Sequence, residues 1–359
     1  MRRAVLVLLS ALVAAPLAAQ QPPRVSSSGG GAGGDAMPPR PRLDSAAADS
    51  NEARSYVVEG RRLMRRDPAA AARAFHWASR LDPTLAAPYA LRWEALWRSN
   101  RRLMEKYERG DRKVVETGEG QRIDSLYLRA LQRDPCSPLD AEVRGAGTPP
   151  LAFIRLVVAR RPGSVELRVI LACSLYLNGQ NDSALSQIDQ ARALLERREA
   201  ESQRPVYQSK AMFHYFAGKV LATSGDMNAA REAFGRALAE DLAFHPAHAA
   251  IAAIAWTNWS DTAAAVQEYE LALQLDPADG VLHYNYGTVL LQAGRAAEAV
   301  EQLERAVALE PYFANAHFNL ALALERTGRP ADARVHYKIF VERAPQSMRE
   351  QIETAKSKD

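Results

Sequence analysis

Seven histidines, two cysteines and 42 Asp and Glu side chains are the residues of this 359-residue chain that could carry chemistry. None of them falls into a reactive pattern. There is no nucleophile elbow, no phosphate-binding glycine loop, no HExxH and no CxxC pair. His245 and His248 flank Pro246, which is expected to break the helical geometry that would bring both imidazoles to one metal. His283 and His317 recur at a fixed interval, the mark of a packing position rather than a ligand. Asp261 and Glu268 read as a helix cap and a solvated helix face. Asp134, Asp140 and Glu142 are the obvious candidate acids of an irregular stretch, residues 99–150, and no histidine stands with them. Cys136 belongs to a Pro-rich loop and Cys173 to a helix interior, so two separate thiols are expected rather than one bridge. The residues call for no metal and no cofactor, and no catalytic mechanism is expected.

With chemistry set aside, the elements that would position these residues come first. The chain is 47% hydrophobic and 25% charged, which excludes a wholly disordered chain and a polytopic membrane protein. Aromatics are only 7% while alanine is abundant, so the core is expected to form from small side chains between closely packed helices. The net charge of +4 is too even a balance to imply nucleic acid. Arginines cluster at helical spacing in the front half (Arg61, Arg62, Arg65, Arg66, then Arg98, Arg101 and Arg102). A solvated face explains them; attraction to a membrane surface or an acidic partner is the alternative.

Residues 1–19 are laid out as a secretory leader, with Arg2 and Arg3, an apolar run from Ala4 to Leu17, and the small Ala18 and Ala19. This leads to the expectation of an exported protein, in the periplasm or fully secreted. Residues 20–51 are rich in Pro, Gly and Ser, and are expected to form a flexible linker that cannot repay its ordering entropy by burial.

From Asn51 onward the chain repeats itself. Pro277, Pro311 and Pro345 are 34 residues apart, as are Ala265, Ala299 and Ala333, and Ala253, Gly287 and Ala321. Gly294 and Gly328 keep the same step, with Ser260 one step earlier. Each unit reads as two helices joined by a tight turn, the second ended by proline. Gly287 is expected to face Ala299, with Leu303 and Ala306 packing inward and an apolar flank left for the next pair.

These small residues, Tyr269, Tyr337 and the terminating prolines together resemble the tetratricopeptide repeat family. Residues 211–244 are similar through Gly218, Gly225, Ala230, Phe234 and Ala237, and residues 165–196 through Ala172, Gly179, Ala184, Ile188 and Ala191. Residues 52–83 give Ala71, Phe75, Ala78 and Pro83, although Glu59 occupies a normally small position. The register fails between Pro83 and Pro162. The resemblance implies an all-α fold, an α-solenoid whose helix pairs wind into a right-handed superhelix. Residues 52–163 would be degenerate repeats, 164–345 regular ones, and 346–359 a capping helix begun by Ser347.

In this family the first helices of successive pairs line a concave wall. The resemblance places Tyr215, Lys219, Ile254, Tyr284, Thr288, Phe318 and Leu322 on it as a protein-binding groove. The aromatic ones could equally be core residues packed on their neighbours. Tyrosine, alanine and phenylalanine stand where some relatives carry the lysine of a clamp for acidic C-termini, which argues against that activity. Asn285 and Asn319 match positions that support packing between repeats. The expected function is a protein-binding scaffold of the cell envelope, capturing a peptide or helix for assembly or transport. The alternatives are a cell-wall-associated enzyme with its site in 99–150, and a homo-oligomerising structural protein.

Overall fold

A computed structural model describes residues 38–43, 48–108, 118–137, 151–201 and 209–358. Residues 1–19, expected to be a leader, and Asp140 and Glu142 lie outside the described residues. Among the described residues there are helices and turns and no strand.

The helices fall into two compact units, one holding Asn100–Ala247 and the other holding Gly29–Ser99 with His248–Asp359. Chain order therefore does not follow the units, since the first helix pair belongs with the last repeats.

In the second unit, α1 (Ala53–Leu63), α2 (Pro68–Leu81) and α3 (Ala87–Ser99) come first. The first unit then supplies α4 (Arg101–Glu108), α5 (Gly118–Arg133), α6 (Leu151–Arg160), α7 (Val165–Leu177), α8 (Asn181–Glu201), α9 (Lys210–Thr223) and α10 (Met227–Glu240). The boundary falls in the first turn of α11 (His245–Trp259). The second unit resumes with α12 (Thr262–Leu275), α13 (Gly280–Gln292), α14 (Ala296–Leu309), α15 (Ala314–Arg326) and α16 (Pro330–Arg343). A 3₁₀ turn at Gln346–Met348 and α17 (Arg349–Lys356) close the chain. Each unit is built in the α-solenoid manner, from antiparallel pairs stacked flank to flank.

Small residues set how near the paired helices lie. A Cβ on Gly287 would stand 2.7 Å from Leu303 Cγ, one on Gly218 2.4 Å from the Phe234 ring, and one on Gly60 2.5 Å from the Phe75 ring. The partner of Gly287 is thus Leu303, one helical turn beyond the expected Ala299. The same contact corrects the first pair. Its small station is Gly60 rather than Glu59, because only 15 residues separate it from the side chain it meets, against 16 for Gly218 with Phe234 and Gly287 with Leu303; Glu59 turns aside to pair with Arg62 at 2.7 Å.

The turns repeat as closely as the helices. Gly179, Gly225, Gly294 and Gly328 all have positive φ, from 71° to 88°, and Ser260 takes the corresponding station at φ 52°. A side chain in the left-handed region costs about 1 kcal/mol. Ser260→Gly should therefore raise the stability of the second unit by roughly 0.5–1 kcal/mol, read as a higher denaturation midpoint with an unchanged slope.

Second helices end at a recurrent turn. Asp82, Asp241 and Asp276 each accept a hydrogen bond from the backbone N–H two residues on. Asp134 does the same for Cys136, and Ala130, five residues before the chain's next-in-line Pro135, is fully buried like Ala78, Ala272 and Ala306 before their prolines. Helix α5 is therefore a second helix of the same kind, inside the stretch where the sequence register was lost. Pro246 does not break its helix, since it lies in the first turn of α11, where its missing N–H costs nothing.

Cys136 and Cys173 form a disulfide with Cα atoms 5.3 Å apart, against the expectation of two thiols. The turn after α5 carries Cys136 onto the buried flank of α7, into a cluster with Ile188, Leu195, Phe213 and Phe216. Ser347 is not the cap of α17; its hydroxyl donates to Glu52 at 3.3 Å.

Candidate functional site

The seven residues expected to line a groove are placed as follows. In the first unit, Tyr215 is buried at 4% exposure between Phe234 and Phe244, and its hydroxyl donates to the Gln132 carbonyl at 2.7 Å. Burial, with the Asp134 charge, pushes its ionisation well up. Lys219 on the next turn of α9 is half-buried. In the second unit, Ile254 is buried, while Tyr284, Thr288, Phe318 and Leu322 are half-buried.

The half-buried four share one environment on α13 and α15. Tyr284 meets Phe313 edge-on at 4.7 Å, and Phe318 meets Phe340 at 4.9 Å and Tyr337 at 5.9 Å. Thr288 donates to the Tyr284 carbonyl at 2.7 Å and accepts from Asn319 at 2.9 Å, so Asn319 joins one repeat to the next as its position implied. Burial raises the Tyr284 hydroxyl's pKa, and the nearby Asp82 carboxylate pushes it in the same direction. The first pair of the chain thus comes close to this wall. What these side chains offer is a partly filled, mainly apolar surface with a threonine hydroxyl; it can bury an apolar face, and it contains no acid–base pair.

The histidines are packing groups. His283 and His317 reach back to the carbonyls of Pro277 at 3.1 Å and Pro311 at 2.9 Å, tying each first helix to the turn before it. His317 Nε2–H must donate to that carbonyl, which leaves its Nδ1 to accept from His336 at 3.0 Å. His248 pairs with Glu268 at 2.7 Å, and Asp261 caps α12 through the Ala264 N–H at 3.0 Å. No group of His, Cys, Asp and Glu suited to a metal occurs among the described residues.

Burial holds His317 down at about 4, with the His336 and Arg343 charges acting in the same sense against the Pro311 carbonyl. An unfolded chain's imidazole titrates near 6.5, so between about pH 6.5 and 4 the unfolded state binds more protons. The stability of this unit is therefore full above pH 6.5 and falls as the pH drops towards 4, by on the order of 2 kcal/mol from this residue. His317→Asn should flatten that slope in urea melts at pH 7, 5.5 and 4.5; an unchanged slope contradicts the assignment.

A second cluster was not foreseen. Arg80 on α2 pairs with Glu310 at 2.8 Å, with side-chain exposures of 25% and 9%. Trp77 meets Tyr312 edge-on at 5.1 Å, and the Arg343 guanidinium lies over the Tyr312 ring at 4.9 Å. Asn51 donates to the Glu342 carbonyl at 2.9 Å, and Asp49 accepts from the Gln346 N–H at 2.6 Å. These contacts join the first helix pair to the last two repeats. Two signals were readable. Trp77 stands where Arg236 and Arg305 face solvent in later repeats, and Glu310 replaces the aspartate of the other turns, its longer side chain reaching Arg80.

In the arginine clusters, Arg62 pairs with Glu59, Arg98 with Glu94, and Arg101 with Glu105 at 3.4 Å. No helix among the described residues is long and apolar enough to cross a membrane.

Residues 284–347 match the tetratricopeptide repeat family, so the chain carries tetratricopeptide repeats in that segment. No curated protein matches the chain in sequence. Among solved structures, YrrB, described as a TPR protein with an unusual peptide-binding site, is 17% identical, with 57% of this chain and 97% of YrrB covered and a TM-score of 0.43. A fragment of MamA from Desulfovibrio magneticus is 18% identical, covering 51% of this chain and 96% of its own, with a TM-score of 0.42. The Cut9–Hcn1 hetero-tetramer structure of APC/C gives 15% identity, 85% and 56% coverage, and a TM-score of 0.46.

Proposed function

We propose that this tetratricopeptide repeat protein is a scaffold of the cell envelope that captures a peptide or helix of another protein and has no reaction of its own. The observation that carries the reading is the wall of α13 and α15, where Tyr284, Thr288, Phe318 and Leu322 keep part of their surface open between stacked repeats. A partly exposed apolar wall gains most by covering itself with an apolar face of a partner.

Support for an exported location comes from the leader-like residues 1–19 and from the Cys136–Cys173 bridge, since such bridges persist in oxidising compartments. The role would lie in assembly or transport of envelope proteins.

Crosslinking in the native envelope tests this directly, with photoreactive groups at Thr288 and Leu322. Discrete adducts are expected from each position, lost from the group at Thr288 when Leu322→Arg is added and from the group at Leu322 when Thr288→Arg is added, at an unchanged melting temperature. Adducts that survive those substitutions contradict the wall as the binding surface.

A further inference from the structure

We propose that Tyr56 and Trp77, the latter backed by Tyr312, form a recognition cradle for arginine in an extended proline-rich segment, and that residues 38–43 (PPRPRL) occupy it as an internal ligand. This surface is separate from the α13–α15 wall and belongs wholly to the second unit.

Residues 20–51 look from their composition like a free tether, yet the described part is held. Pro38, Arg40 and Leu43 belong to a helix-free stretch. The Trp77 indole N–H donates to the Pro38 carbonyl at 3.0 Å. The Arg40 guanidinium lies over the Trp77 ring at 5.0 Å and the Tyr56 ring at 5.6 Å, and its Nε donates to the Tyr56 hydroxyl at 2.9 Å. Its Nη2 donates to the Ser50 carbonyl and, at 3.2 Å, to the Asn51 side chain. Leu43 packs on the apolar cluster of Tyr56, Trp77 and Leu81, where Tyr312 also lies.

Each part suits one ligand chemistry. A planar, weakly hydrated guanidinium can stack on an aromatic face and use its edge donors at once, which the compact ammonium of lysine cannot. Prolines keep the segment extended at little entropic cost and leave its carbonyls free to accept from an indole N–H. The acceptors that meet Arg40 are fixed from the other side, because Asn51 is itself bound to the Glu342 and Ala344 carbonyls of the last repeat. The cradle is therefore complete only when the first helix pair and the last repeats are together.

A tethered ligand competes at a high effective concentration, so a free peptide of the same chemistry should bind poorly until the internal copy is weakened. The test uses the full-length chain and a fluorescent peptide of residues 37–43 (MPPRPRL), read by anisotropy. Arg40→Ala/Leu43→Ala in the protein should raise the peptide's affinity at least tenfold over the parent chain. Replacing the peptide's own first arginine by alanine should abolish binding. Trp77→Phe in the weakened chain, which keeps a ring but removes the N–H donor, should lower affinity at least fivefold. If the double variant is impaired in folding, Arg40→Lys alone replaces it, with a smaller gain of affinity expected. Equal affinity for the parent and weakened chains, or no binding to either, overturns the proposal.

Discussion

A Trp77→Ala chain should lose about 3–5 kcal/mol of stability in the second unit, the range for truncating a buried large aromatic side chain. Trp77 is only 6% exposed, and its ring contributes three separate interactions: the edge contact with Tyr312, the stacked Arg40 and the hydrogen bond to Pro38. Alanine removes all three and leaves a cavity between α2 and the turn before α15. Trp77→Phe keeps a ring against Tyr312 and should recover more than half of the loss. Urea denaturation followed by circular dichroism reads both, and a loss below about 1 kcal/mol for the alanine variant would mean that the first pair hardly leans on the last repeats.

Removal of the disulfide should have a comparable effect on the other unit. Cys136 and Cys173 are 37 residues apart in sequence, and closing a loop of that length restricts the unfolded chain by about 4 kcal/mol in the chain-entropy account. Both cysteines are buried, so Cys136→Ala/Cys173→Ala is the cleaner replacement, adding no polar group to the cluster of Ile188, Leu195 and Phe213. The oxidised parent should unfold at a higher urea concentration than the variant. Reductant should bring the parent down to the variant's midpoint while leaving the variant unmoved. A parent insensitive to reductant contradicts the bridge.

What could be read in the residues beforehand was whatever recurs. The 34-residue step fixed which positions are small, and the structure turns those positions into helix contacts at Gly218 and Gly287. The same step marked His283 and His317 as packing groups, and their matching bonds to the Pro277 and Pro311 carbonyls follow from it.

Less legible was everything that occurs once. A periodic pattern says which face of a helix is buried against its neighbour, but not that a neighbour lies some 230 positions away, as with Arg80 and Glu310. The irregular stretch hid a repeat-like helix because the 34-residue register fails there, although its Asp134–Pro135 dipeptide matches Asp82–Pro83 and Asp276–Pro277 at the ends of other second helices. The Cys136–Cys173 pairing depended on that hidden helix, since its end places the loop cysteine on α7.

The wall residues divide on similar lines. A position common to every repeat can be spent on packing in one and left open in another, depending on what the next element brings. Phe234 and Phe244 enclose Tyr215, whereas Tyr284 and Phe318 remain half-open. Spacing alone treats these three aromatics as equivalent.

The account depends most on the first helix pair closing against the last repeats, and a double-mutant cycle across Arg80 and Glu310 measures that contact. Arg80→Ala, Glu310→Ala and the combined variant should show a coupling energy of about 1–3 kcal/mol, because the two charges meet at 2.8 Å and are largely shielded from water. Losses that add to within about 0.3 kcal/mol would place the two side chains apart and contradict the closure.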